Sequence, residues 1–493
     1  DQRLRIYLTN TLEEAIKHSE VLFAQWISEE ANAAAQIKKE KPIMVVLGNP
    51  PYSGVSANRG EWISQLIDVY RIVDGKPLEE RKVWLQNDYV KFIRFGQWRI
   101  ERTGQGILGF ITDHSYLDSP TFRGMRQSLI NTFDEIYILD LHGDTKRRES
   151  APGGGMDENV FDIQQGVAIG LFIKKSDGST PAKVYHADLW GLCGEWPDPQ
   201  HGTKYHTLSE SDITMTDWTE IQPTGPFYIF ALRDESLMAE YEHGWKITDA
   251  FPVSSTGVQT SRDDLVLDFS VDRLRARISD VRDISLPDST VIDKYNIREM
   301  SFWNVSEARK SLAGDKEWES RFISCLYRPF DVRPLFYSVA VVHRTRDEVM
   351  RHLTKQNQVL CVGRAGQATG SAEWDVAFCG SQPVDLNIFY RGGSQCFPLF
   401  LYPAEGEMQF EEGRRPNLNP EFIKAVSDKL GLKFVSDVKG DLTASFGPEN
   451  VFNYAYAVFH SPIYRSRYAE FLKVDFPRLP LTSDKELFKT LTE

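Results

Sequence analysis

Hydrophobic positions over the first 180 residues follow two alternating rhythms. Short continuous apolar runs alternate with longer stretches in which apolar residues recur every third or fourth position. Residues 3–9 (Arg-Leu-Arg-Ile-Tyr-Leu-Thr) read as a short strand. Residues 11–40, rich in Glu, Ala, Lys and Gln, read as a helix that Pro42 stops. The run Ile43–Leu47 is apolar on both faces, which predicts a central strand of a parallel sheet. The spacing then predicts an amphipathic helix over 84–102, a buried strand over Gly106–Thr112, a helix over 121–133, and strands over Glu135–Leu141 and Gln165–Lys174. A glycine-rich segment, 152–155, interrupts the pattern. Strand–helix alternation predicts a layered α/β domain over residues 1–180. Beyond it, short strands, Trp, Pro and Gly-rich turns and a few helices predict an irregular α+β domain over 181–493.

Composition adds bounds. A chain of 493 residues, 41% hydrophobic and 12% aromatic, exceeds what one core usually spans, so two or three domains are expected. No apolar run reaches the length of a membrane span, and the start has no charged-then-apolar signal pattern. A chain that begins in polar, strand-like sequence without Met reads as the downstream part of a longer protein. The five cysteines, Cys193, Cys325, Cys361, Cys379 and Cys396, are scattered and make no CxxC or Cys/His spacing. They read as buried or half-buried thiols in a reducing cytoplasm, and no metal is expected from them. The net charge is −13; residues 1–180 are near balance, with 22 Lys+Arg against 25 Asp+Glu. That excludes a uniformly basic coat of the kind nonspecific DNA binders carry, although a single basic face suffices for a DNA enzyme.

The candidate chemistry sits where Ile43–Leu47 ends, at Gly48-Asn49-Pro50-Pro51-Tyr52. An exocyclic adenine amine is a poor nucleophile because its lone pair is delocalised into the ring. Two acceptors aimed at its N–H groups draw the nitrogen toward tetrahedral geometry. The side-chain oxygen of Asn49 and the carbonyl of Pro50 are placed to be those acceptors. Pro50 and Pro51 stiffen the loop, so the acceptors are preorganised. Tyr52 offers a flat face for an extruded base. The loop follows the carboxyl end of a strand, where α/β folds place ligands.

The tetrapeptide resembles motif IV of the amino-methyltransferases that act on adenine N6 of DNA. Four further segments resemble the same proteins: Tyr116-Leu117-Asp118 with 120–126, Asn159–Val167, Tyr327–Arg333 and Tyr454–Pro462. Together they resemble the methyltransferase and target-recognition part of single-chain type I restriction–modification enzymes, the type ISP group. The resemblance implies a Rossmann-like class I methyltransferase domain with S-adenosylmethionine as cofactor and double-stranded DNA as partner. It also implies nuclease and helicase domains upstream in the same parent chain. Taken alone, Phe161 reads as a core aromatic ahead of a strand. Within its motif it is expected to pack on the base opposite Tyr52. Asn10 falls where the family contacts the cofactor, together with Asn49; as a helix cap it reads equally well, and Thr11 is an alternative cap. Asp113 stands where the family often has Asn.

For DNA reading, the candidates are the basic stretch Val342–Arg346 with Arg344 and Arg346, the loop 363–370 with Arg364 and Gln367, and 391–395 with Arg391. Arg465, Arg467, Lys473 and Arg478 read either as phosphate contacts or as part of a closing helix. Two other readings stand beside a methyltransferase: a target-recognition module carrying an inactive remnant, and an enzyme methylating RNA or protein nitrogen. The cofactor-binding Gly-rich turn that normally precedes motif IV is not found between Asp1 and Gly48. This chain alone is therefore expected to bind S-adenosylmethionine poorly; calorimetry giving micromolar affinity would overturn that expectation.

Overall fold

The computed structural model describes residues 6, 9–14, 33–39, 41–52, 56–78, 84–146, 149–152, 154–176, 181–234, 236–300, 303–363, 374–389, 393–404, 413–437 and 439–493. The chain forms two compact units, Asp1–Arg233 and Asp234–Glu493.

The first unit is a six-stranded mixed sheet with helices. Its strands are β1 (Val45–Gly48), β2 (Gly106–Asp113), β3 (Glu135–His142), β4 (Val167–Lys174), β5 (Lys183–Asp188) and β6 (Thr219–Ile221), in the order β1-β2-β4-β3-β5-β6. The pairs β1·β2 and β3·β5 are parallel. Strand β4 runs antiparallel between β2 and β3, and β6 is antiparallel to β5. The helices α1 (Glu61–Ile67), α2 (Asp88–Thr103) and α3 (Arg123–Thr132) contribute to the larger core with β2, β3 and β4. Alternation along β3 sends Ile136 and Ile138 into this core. Leu139 and Leu141 enter a second, smaller apolar cluster with Val160 and Val167. Helix α2 follows its predicted span closely and stops at Gly104, whose left-handed backbone (φ 84°) lets its N–H reach Ile100 O at 2.9 Å.

Three expectations change. Strand β1 is not central: among the described residues it pairs only with β2, and Val45 (54%) and Leu47 (70%) are exposed. A continuous apolar run records that both faces favour burial; it does not record whether a neighbour is present. The sheet is mixed rather than parallel. The first unit also extends past residue 180, because β5 and β6 complete its sheet, and the division falls at Arg233/Asp234. Of the helix expected over 11–40, residues 33–39 are helical and 11–13 form a turn. The remainder of that span, and most of the strand expected over 3–9, lie outside the described residues.

A buried ion pair ties the second cluster together. Lys204, at the start of α4 (Lys204–Glu210), donates to Asp157 Oδ1 (2.8 Å), Leu141 O (2.7 Å) and Glu158 O (2.6 Å), three acceptors for three protons. Asp157 also accepts from the N–H groups of Gly143 (2.7 Å) and Gly191 (2.8 Å). Both side chains are fully buried.

The second unit holds one large core. Strands β7 (Ser255–Thr256), β8 (Phe322–Arg328), β9 (Asp331–Phe336), β10 (Val359–Val362), β11 (Ala377–Gly380) and β12 (Gln395–Pro398) include a four-stranded antiparallel sheet, β7-β12-β10-β11, and the hairpin β8–β9. Helices α5 (Val271–Arg282), α6 (Val305–Gly314), α7 (Pro420–Leu430), α8 (Pro448–His460) and α9 (Lys485–Thr492) add buried faces to the core. Cys325, Cys361 and Cys396 are buried free thiols; Cys193 and Cys379 are half-buried free thiols. No helix among the described residues is long and apolar enough to cross a membrane.

Replacing Lys204 by Met strands the Asp157 carboxylate in an apolar interior. It is expected to destabilise the first unit by about 3–5 kcal/mol. Hydrogen exchange at β3 and β5 under increasing urea reads this directly, and a loss under about 1 kcal/mol would contradict it.

Candidate functional site

The Asn49–Tyr52 loop leaves the carboxyl end of β1, where Gly48 is in register with Phe110 of β2. Pro50 is buried and Asn49 exposed, so the proline anchors the loop and the amide faces outward. The Tyr52 hydroxyl lies 2.7 Å from Asn49 Oδ1 and 3.2 Å from Ile111 O. Its single proton serves the nearer acceptor. Burial, reinforced by the charge of Asp113, pushes the Tyr52 pKa well up, so it remains a hydroxyl donor at neutral pH. An amide oxygen has two lone pairs, so Asn49 Oδ1 retains capacity for a second donor.

The chain beyond the loop is pinned from below. Asp88 Oδ1 accepts from Ser56 Oγ (2.5 Å) and Asn58 Nδ2 (3.0 Å). The fully buried Lys91 donates to Ser56 Oγ (2.8 Å) and Asn58 O (2.5 Å). Both come from the first turn of α2. Sequence reading missed these residues, although Asp88 and Lys91, three apart at a helix start, carry a recognisable charge pattern.

Tyr52 and Phe161 pack against the same small apolar cluster of Leu141, Val160 and Val167. The Phe161 loop is held by Asn159, which accepts from Phe161 N (2.9 Å) and donates to Gly143 O (3.1 Å) and Gln165 O (2.6 Å). Gly143 (φ 82°) has no room for a side chain: a Cβ there would lie 2.4 Å from Asn159 Cα. Two segments far apart in sequence therefore pack on one apolar cluster.

Asn10 is engaged elsewhere. Its oxygen accepts from Leu12 N (3.1 Å), and its amide donates to Glu13 (3.0 Å) and Asn58 (3.0 Å). Of its two readings, the turn-capping one describes these contacts. Asp113 is likewise a cap, accepting from Ser115 N at 2.7 Å.

Beside the loop, the carboxyl ends of β2 and β3 carry a group that sequence reading did not pick out: His114, Asp140 and His142. His114 Nδ1 lies 3.0 Å from Asp140 Oδ1, and His142 Nε2 lies 2.8 Å from Asp188 Oδ1. Burial opposes charge on His142, but Asp188, Glu149 and Asp140 outweigh it and push its pKa up to about 9. A signal was present: Asp140 and His142 stand two apart at the end of an apolar strand, a spacing that puts polar groups on one face.

In the second unit, Arg344 joins Gln259 through a pair of backbone hydrogen bonds, both 3.0 Å, and its side chain is exposed. Among the described residues it pairs with no carboxylate. Arg346 has a left-handed backbone (φ 57°) and is half-buried. Arg262, which sequence reading missed, stacks 3.9 Å over Trp303. Burial, then the charges of Arg344, Arg262 and Arg346, hold His343 below its usual range, which marks a concentrated positive field. Arg364, Gln367 and Arg391 lie outside the described residues. The four basic residues near the end are engaged within the chain: Arg465 with Phe459 O, Arg467 with Glu240, Lys473 with Glu470, and Arg478 with Gly244 O.

Residues 249–493, just under half the chain, match the family described as Type ISP C-terminal specificity domain. No curated protein sequence matches the chain. Among solved structures, the fold is shared with three DNA complexes, each at 22% identity. The ATP-dependent Type ISP restriction-modification enzyme LlaBIII bound to DNA aligns with a TM-score of 0.68 over 99% of this chain and 32% of its own. The DrdV–DNA complex gives 0.67 over 94% and 45%. A nuclease-deletion mutant of the Type ISP enzyme LlaGI with a DNA substrate mimic gives 0.66 over 99% and 37%. The chain thus spans less than half the length of each of these proteins.

Proposed function

We propose that this chain is the base-pocket and target-reading part of a restriction–modification enzyme that methylates adenine N6 in double-stranded DNA. The observation that carries the proposal is the convergence of Tyr52 and Phe161 on one apolar cluster beside the outward-facing Asn49. The DNA-bound state of the three similar structures supports a DNA partner.

In this reading the first unit is the later part of a Rossmann-like class I methyltransferase sheet, and the edge of β1 that has no partner among the described residues receives its further strands. Asn49 Oδ1 and the Pro50 carbonyl accept the two N–H groups of a flipped adenine, freeing the nitrogen lone pair. Tyr52 donates to Asn49 and so fixes the amide rotamer before the base arrives. Tyr52 and Phe161 replace the stacking that the base loses on leaving the duplex. S-adenosylmethionine supplies the methyl group. Of the two residues assigned to it, Asn49 fits, being exposed at a strand's carboxyl end. Asn10 does not, because both its amide and its oxygen are engaged. That observation favours the second reading, a target-recognition module that reads DNA without transferring a methyl group.

In the complete enzyme, Asn49→Ala is expected to abolish methyl transfer and leave DNA binding intact. A methylation-sensitive digest separates the two readings, since retained methylation would remove Asn49 from the chemistry. Arg344→Ala is expected to weaken DNA binding and to reduce the salt slope of log K by about 1, the signature of one phosphate contact. A slope unchanged between low and moderate salt would place Arg344 off the DNA.

A further inference from the structure

The cluster at the ends of β2 and β3 has no part in the base pocket, and its chemistry points elsewhere. His114, Asp140 and His142 each present a ligand atom within 4.8 Å of the others, and all three are buried. His142 is 7% exposed, and its Nδ1 has no hydrogen-bond partner. That nitrogen lies 3.7 Å from Asp140 Oδ2 and 3.8 Å from Glu149 Oε1. Both distances are too long for hydrogen bonds. They are near the separation of about 3.4 Å between donors held about 2.1 Å from a tetrahedral ion.

We propose that His142 Nδ1, Asp140, Glu149 and one ring nitrogen of His114 bind a single divalent first-row transition ion of the zinc class, in a closed structural site. The surroundings are those of a metal site rather than of an acidic patch. Asp188 holds His142 Nε2 at 2.8 Å, which directs the Nδ1 lone pair inward in the carboxylate–histidine–metal arrangement. His186 holds the same Asp188 oxygen at 3.0 Å. The His142 ring cannot swing away, because Trp190 stacks on it with centroids 3.3 Å apart. The His114 ring is backed by Gly166, where a Cβ would lie 2.3 Å from Cε1. Asp144 lies 3.5 Å from His114 Nε2, so carboxylates crowd the imidazoles on every side. A doubly charged ion offsets that excess. Two imidazoles with carboxylates suit zinc, cobalt or nickel better than magnesium or calcium, which prefer all-oxygen sets.

The test is metal content of the purified full chain after chelator dialysis and equilibration with Zn²⁺ or Co²⁺. One ion per chain is expected, with visible cobalt absorption of four-coordinate intensity. His142→Ala and Asp140→Asn should lose the ion, and Asp188→Asn should weaken it by about 10–100-fold. The competing surface pair is His201 and His206, with rings 4.6 Å apart. The double variant His201→Ala/His206→Ala should keep the ion. Should His142→Ala fail to fold by circular dichroism, anomalous scattering at the zinc edge from wild-type crystals takes its place, with a peak expected between His142 and Asp140. A folded wild-type chain without metal, an ion retained in both ligand variants, or an ion lost with His201 and His206 would each overturn the proposal.

Discussion

The insertion of β4 between β2 and β3 governs the first unit. Its antiparallel ladders run from Val167 to Lys174 against β2 and from Val167 to Ile173 against β3, so its start lies against the ends of its two neighbours. Val167 is in register with Asp113 on one side and His142 on the other. The cluster of His114, Asp140 and His142 lies at that one junction. Backbone pairing is unforgiving here, because a one-residue slip would move each side chain to the opposite face. Gly166 marks how tight the junction is: His114 lies so close that only a residue without a Cβ fits.

The Asn49–Tyr52 loop depends on a weaker connection. Strand β1 reaches the sheet through a four-residue parallel ladder. The loop gains its order from what surrounds it: Pro50 buried, Tyr52 bonded to Asn49, and the exit held by Asp88 and Lys91. On the far side, Lys204 and Asp157 fix the segment that carries Phe161. A loop supported from both flanks keeps its acceptors in place.

Much of the first unit was legible in the sequence. Continuous apolar runs located β2, β3 and β4, and the 3.6-residue rhythm located α2, because burial favours those patterns wherever the chain lies. The Asn49–Tyr52 loop was legible because two prolines and an aromatic after a strand leave few conformations. The edge position of β1 was not, since apolar content reports a preference and not the presence of a neighbour. The boundary near residue 180 was placed too early because β6 is three residues long and carries too little pattern to announce itself. The basic residues near the chain end read equally well as DNA contacts or as internal ones; for two of them, Arg467 with Glu240 and Arg478 with Gly244, the partner is more than two hundred residues away in sequence.

The sequence by itself determined the alternation of strand and helix, the position of the Asn49-Pro50-Pro51-Tyr52 loop after a strand, and the thiol state of five scattered cysteines. Those properties are set locally, by side-chain period, proline geometry and residue type. Tertiary structure alone decided that Phe161 shares a cluster with Tyr52 and that His114, Asp140 and His142 lie within reach of one another. The physical reason is the same in each case. Strand order and register bring together residues whose separation along the chain carries no energetic signature, and only the folded sheet supplies it.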